Sequence, residues 1–173
     1  MGLMSFTKDL DSMFTEYGKY HTHPINQLIH VICIPLILGS LVGLGRYFPL
    51  GQETDCICQA HCGLLFLVFC LFLYLKVDVF SGLVSALLYG GWYLAWNYIY
   101  LTHTATYGSI ILYTQIICWS LQFFGHGFFE NKRPALFDNI ALTLAAPLFA
   151  VLEVLMLFGY KAYLHDLLKK KSN

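Results

Sequence analysis

Residues 79–129 read VFSGLVSALLYGGWYLAWNYIYLTHTATYGSIILYTQIICWSLQFFGHGFF, a stretch without one Asp, Glu, Lys or Arg. A charged side chain at the centre of a bilayer is costly, and a helix that crosses it needs about 20 mostly apolar residues. This stretch has room for two such helices, with the small polar run from Thr102 to Gly108 as the turn between them. The reading predicts spans over 79–101 and 109–126. Working outward, Cys56 to Leu75 and Tyr20 to Gly45 are also uncharged, and they predict spans over 59–77 and 28–45. A fifth apolar stretch, 139–160, is interrupted by Pro147 and Glu153.

Composition supports this. The 173 residues are 58% hydrophobic and 12% charged, with zero formal net charge, against roughly 45–50% apolar and about 25% charged in globular domains. So little polar material does not cover a soluble domain. A chain this apolar is not disordered, and one this neutral lacks the basic face that nucleic acids require. The expected fold is therefore all-α, a single integral membrane helical bundle over 1–173. No nucleic-acid partner is expected. Residues 1–8 lack a basic-then-apolar layout, so no cleaved leader is expected.

Ahead of the first span, Phe6, Leu10, Met13, Phe14 and Tyr17 recur every three or four residues, with Lys8, Asp9, Asp11, Glu16 and Lys19 between them. That periodicity predicts an amphipathic helix over 5–20 lying on the membrane surface. The loop from Arg46 to Cys58 carries one base and two acids, whereas Lys132-Arg133 and Lys169-Lys170-Lys171 are the positive clusters. Positive segments stay cytoplasmic, which predicts cytoplasmic termini. The ending Lys170-Lys171-Ser172-Asn173 resembles the dilysine retrieval signal of endoplasmic reticulum membrane proteins, implying that membrane as location and a retrieval coat as partner. Five full crossings would put this tail in the lumen. The expectation is four crossings plus a re-entrant or interfacial 139–160 segment bent at Pro147, with a fifth span as the alternative.

Seven histidines in so apolar a chain are the most informative feature. One cluster, YHTHPINQLIH over 20–30, stands at the entry to the first span. Pro24 suits a helix first turn, and Asn26 and His30 then share a face. A second cluster, QFFGHGFFE over 122–130, stands at the exit from the fourth span, with His126 and Glu130 four apart and glycines at 125 and 127 leaving room for close approach. An up-and-down arrangement brings both clusters to one membrane face. Several imidazoles with a carboxylate and open positions suit iron(II), and zinc with a bound water takes the same ligands. Asn26, Gln122 and Asp138 are candidates to orient the rings.

The remaining histidines are less informative. His103 closes the third span; on a straight helix it would stand roughly 35 Å from His126, so either the helix breaks near Tyr107-Gly108 or His103 lies elsewhere. His61 and His165 are expected at the surface. Cys56, Cys58, His61 and Cys62 fit no usual zinc-finger spacing; a luminal disulfide, or no role, is expected there.

The two histidine clusters resemble the endoplasmic reticulum 2-hydroxy fatty acid dioxygenases. The first signature of that family is matched by Tyr20, His21, Pro24, Asn26, His30 and Pro35. The second is matched by Gln122, Phe123, Gly125, His126, Phe129, Glu130, Arg133, Pro134, Ala135, Leu136, Asp138 and Asn139, followed by Ala146, Pro147 and Glu153. The similarity runs over almost the whole chain.

The resemblance implies an Fe2+-dependent alpha-oxidation in sphingoid-base and fatty acid catabolism, including phytosphingosine breakdown. A long-chain 2-hydroxy fatty acid and dioxygen give carbon dioxide and a chain one carbon shorter. It implies His21, His30 and His126 as iron ligands, with His103 a fourth candidate and Glu130 beside them in catalysis. His23 stands where the family more often has Asn. Arg133 or Lys132, with Asn26, are the candidate substrate-binding residues; Arg offers carboxylate a bidentate fork. Two other functions compete: a non-catalytic lipid-binding or organising membrane protein, and a small metal or proton carrier using the intramembrane histidines and Glu153.

Overall fold

A computed structural model describes residues 9–137 and 139–166. Its regular structure is helical, and no strand occurs among the described residues. The principal helices are α1 (Leu10–Gly18), α2 (Pro24–Leu44), α3 (Cys62–Val77), α4 (Val79–Thr102), α5 (Tyr107–Phe124) and α6 (Ile140–Leu157). A π-helical turn, Gly125–Glu130, continues α5. The expected all-helical membrane architecture is what the structure has. By length and composition, Pro24–Tyr47, α4 and α6 are long and apolar enough to cross a membrane, and α3 is a shorter apolar helix. Large apolar side chains face outward along them: Leu87 is 80% exposed and Leu157 80%, a surface suited to lipid and not to water.

Helix starts follow from local chemistry. Asp9, Asp78 and Asn139 each turn a side-chain oxygen onto a backbone N–H of the first turn, at Ser12, Ser81 and Ala141 respectively, satisfying donors that have no partner within the helix. Pro24 opens α2, where its missing N–H costs nothing.

The four helices α2 to α5 run up and down. Gly43 near the end of α2 accepts a hydrogen bond from Tyr107 at the start of α5 (2.8 Å), while Asn26 near the start of α2 meets Gly125 beyond the end of α5. Between them, Gln115 on α5 donates to Ile37 O and Ser40 Oγ on α2, at 3.0 and 2.8 Å. The α2–α3 crossing is tight. A Cβ on Gly63 would stand 1.9 Å from the Val42 carbonyl oxygen, so only glycine fits there.

One expectation changes. The apolar stripe of α1 meets protein, not lipid: Leu10, Met13, Phe14 and Tyr17 are buried against Leu142, Ala145, Phe149, Leu152 and Met156 of α6. Burial of Leu10, Met13 and Phe14 contributes about 1.5–3 kcal/mol each. Pro147 lies inside α6, and Tyr89 donates to its carbonyl (2.9 Å). The first turns of α6 line the same cavity as His30 and Tyr74. Just past its end, Tyr160 and Lys161 bind Asp78 at the α3–α4 junction. Thus the segment after α6 is tied to the α3–α4 junction, at the end of the bundle where α2 starts and α5 finishes. Asp138 and the C-terminal dilysine lie outside the described residues.

Candidate metal centre

His21, His30 and His126 come together at that end, all buried, with one ligand atom from each lying within 4.8 Å of the others. Ring centroids are 4.3 Å apart for His21 and His30, 5.0 Å for His21 and His126, and 4.8 Å for His30 and His126. The residues reach this point from three elements: the connection after α1, the second turn of α2, and the π-helical turn. The wider spiral of π-helix is frequent at functional sites.

Backbone carbonyls orient two of the rings. His21 Nδ1 lies 2.9 Å from Tyr17 O and His30 Nδ1 lies 2.8 Å from Asn26 O. A carbonyl only accepts, so each Nδ1 carries the proton and each Nε2 keeps its lone pair. Tyr17 also stacks on His21, centroids 3.9 Å apart. Burial, reinforced by the neighbouring His30 and His126 against the pull of the Tyr17 carbonyl, holds His21 well below the usual imidazole range, which favours the neutral ring. His30 Nε2 faces His126 Nε2 at 3.1 Å. Both His21 Nε2 and His126 Nδ1 are buried without a protein hydrogen-bond partner. Neutral imidazoles with inward lone pairs, fixed from behind by carbonyls, form a donor set that fits a transition metal.

Glu130 is buried beside this centre but binds the loop that carries His21. It accepts from Thr22 N (2.7 Å), His23 N (2.8 Å), Asn26 Nδ2 (3.1 Å) and the Thr22 hydroxyl. Burial opposes its charge, yet the donors from His23, Thr22 and Asn26 outweigh it and hold the carboxyl below its ordinary range. Asn26 is fully buried and also donates to Tyr20 O. The close approach expected of both glycines holds for Gly125 alone, where a Cβ would meet Asn26 Oδ1 at 2.5 Å; around Gly127 there is open space.

Other candidates stand elsewhere. His103 caps the opposite end of α4, exposed, with its Nδ1 against the Thr102 hydroxyl. The 18 residues of α5 separate it from His126 by about 27 Å. Lys132 is exposed and donates to Lys19 O (2.7 Å). Arg133 is exposed and immediately precedes Pro134, Ala135 and Leu136, which line the cavity. His61, expected at the surface, is fully buried: it stacks on Tyr93, and its Nε2 meets Asn97 Oδ1 at 3.1 Å. Sequence reasoning missed Tyr17, although its spacing of four residues from His21 carried the signal, and Thr143, which had none.

An apolar cavity leads away from the three histidines between α2, α3, α5 and α6. Gln122 and Thr143 are polar side chains on its wall. A cation held by these imidazoles would stand at one end of an apolar channel, an arrangement suited to a long aliphatic ligand with a polar head.

Comparison with known proteins agrees with that geometry. The sequence model of the family described as "2-hydroxy-palmitic acid dioxygenase Mpo1-like" matches residues 7–158. The chain is 37% identical over 171 residues to 2-hydroxy-palmitic acid dioxygenase MPO1 of Saccharomyces cerevisiae, covering 95% of this chain and 93% of that protein. No solved structure matches it.

Proposed function

Since the chain belongs to the Mpo1-like family of 2-hydroxy-palmitic acid dioxygenases, we propose that it is an Fe2+-dependent dioxygenase that shortens long-chain 2-hydroxy fatty acids by one carbon. The observation that carries this reading is the convergence of His21, His30 and His126 at the end of an apolar cavity. In the overall reaction one dioxygen is consumed. The bond between C1 and C2 breaks, C1 leaves as carbon dioxide, C2 becomes the new carboxyl carbon, and one water is released. Iron(II) bound at the three imidazoles supplies the redox chemistry that dioxygen requires.

The residues of the chain do the rest. His21, His30 and His126 present nitrogen donors, and the carbonyls of Tyr17 and Asn26 keep the tautomers and ring angles of His21 and His30 fixed. Glu130 fastens the Thr22-His23 backbone so that His21 stays beside α2. Gln122 and Thr143, polar on the cavity wall, are assigned to the hydroxyl and carboxylate of the substrate, with Arg133 at the edge of the lining loop as the cation for the acid. The apolar wall takes the acyl chain and keeps bulk water away.

This reading extends to the setting: the endoplasmic reticulum membrane, both termini cytoplasmic, α2 to α5 crossing and α6 held at one face, and a role in sphingoid-base breakdown. The test is oxygen uptake by anaerobically iron-loaded protein given 2-hydroxypalmitate. Equimolar pentadecanoate and carbon dioxide are expected. No uptake by iron-loaded, folded protein rejects the reaction.

A further inference from the structure

At its histidine end the cavity is lined by buried side chains and the half-buried Pro134-Ala135-Leu136 loop, and at the other by exposed Leu41. His21, His30, His126, Tyr17 and Tyr74 are all buried, so a chain does not enter past them. From His30 the wall follows Ile34, Ile37, Leu38 and Leu41 along α2, a distance of about 16 Å at ~1.5 Å per residue. Leu41 is the last of these, and it is 46% exposed although it lines the cavity. Phe66 on α3 and Trp119 on α5 line the cavity too and are half-buried. The neighbouring surface is apolar, with Leu44 and Leu65 exposed. An opening ringed by apolar side chains on a membrane bundle faces acyl chains, not water.

We propose that Leu41 and Phe66 form a lateral mouth through which the fatty acid enters from the bilayer, and that the far end of its chain stays in lipid during binding. The proposal rests on the oxygenase reading for the identity of the head group. Its consequence concerns specificity: the protein sets a minimum chain length and no maximum. Methylenes beyond the mouth exchange one lipid environment for the same one, so they change nothing. In a closed pocket each would have to be forced into packed protein, at a cost that overpacking makes more than tenfold in affinity.

The test uses iron-loaded protein in phosphatidylcholine proteoliposomes, with ligand expressed as a mole fraction of the bilayer. Displacement of a fluorescent 2-hydroxy acid by 2-hydroxylaurate, 2-hydroxypalmitate and 2-hydroxylignocerate is measured beside oxygen uptake. Wild type should bind the two longer acids within about threefold of each other. In Leu41→Trp, where an indole narrows the mouth, both longer acids, whose extended chains outreach the ~16 Å wall, should fall more than tenfold relative to 2-hydroxylaurate compared with wild type. A sharp wild-type optimum at one length, no displacement by any length, or an unaltered ratio in the folded variant overturns the mouth. Equal binding of the longer acids without oxygen uptake keeps the mouth and removes the oxygenase reading.

Discussion

His30 Nε2 and His126 Nε2 stand 3.1 Å apart in the buried end of the bundle, with the Nδ1 proton of His30 given to Asn26 O. Two imidazoles from opposite ends of the sequence thus aim at each other with His21 Nε2 beside them and unpartnered. One shared proton satisfies at most one pair of these nitrogens. A cation satisfies all three, and that difference governs what substitutions should do.

Glu130→Gln separates fastening from ligation. The amide oxygen can keep the place that accepts from the Thr22 and His23 amides and from Asn26, but the negative charge is lost and an NH2 replaces the oxygen that accepts from the Thr22 hydroxyl. Metal affinity should fall about 10–100-fold, as when an outer-shell partner is lost, while saturating metal still fills the site. A titration in which the variant binds no metal at any concentration would make Glu130 a ligand.

The two glycines of the π-helical turn should respond differently. Gly125→Ala drives a methyl onto Asn26 Oδ1, and overpacking of this kind costs about 1–3 kcal/mol. Thermal unfolding in detergent should show that loss together with weaker metal binding. Gly127→Ala meets nothing and should stay within about 0.5 kcal/mol of wild type. Equal effects would mean that the α2 contact is looser than described.

The Asp78 anchor predicts an acid limb. Burial raises its pKa, but Lys161, Ser81 and Tyr160 more than offset this and bring it from 3.8 to about 2. With the folded value below the unfolded one, its stabilisation is complete above the ordinary carboxylate range and disappears as pH falls through about 4 to about 2. Unfolding followed by tryptophan fluorescence should show this loss in wild type and a flatter profile in Asp78→Asn. Identical acid limbs would remove the anchor from α6.

His103→Ala should leave metal content and oxygen uptake within about twofold of wild type, because the ring is exposed at the far end of α4. Loss of bound metal in this variant would restore His103 as a fourth ligand.

Much of this was legible in the residues. Gaps between charges outline the helices because burying a charge in lipid is costly, and that rule is local. The histidine clusters were legible because Asn26 and His30 share a helix face and an up-and-down chain returns His126 to them. What was hidden depends on distant partners. His61 is buried because Asn97 and Tyr93, more than thirty residues away, receive it. The surroundings of α6 are equally remote, since Tyr89 reaches the Pro147 carbonyl and α1 covers the helix. The carboxylate of Glu130, four residues from His126, engages amides at Thr22 and His23, a contact no spacing announces.

The most direct measurement is elemental analysis of anaerobically purified protein beside His21→Ala, His30→Ala and His126→Ala, with membrane insertion checked in each. About one iron per wild-type chain and almost none in every folded single variant is the expected result. Metal-free wild type after iron loading, or iron retained when any two of these histidines are removed together, would contradict a shared cation.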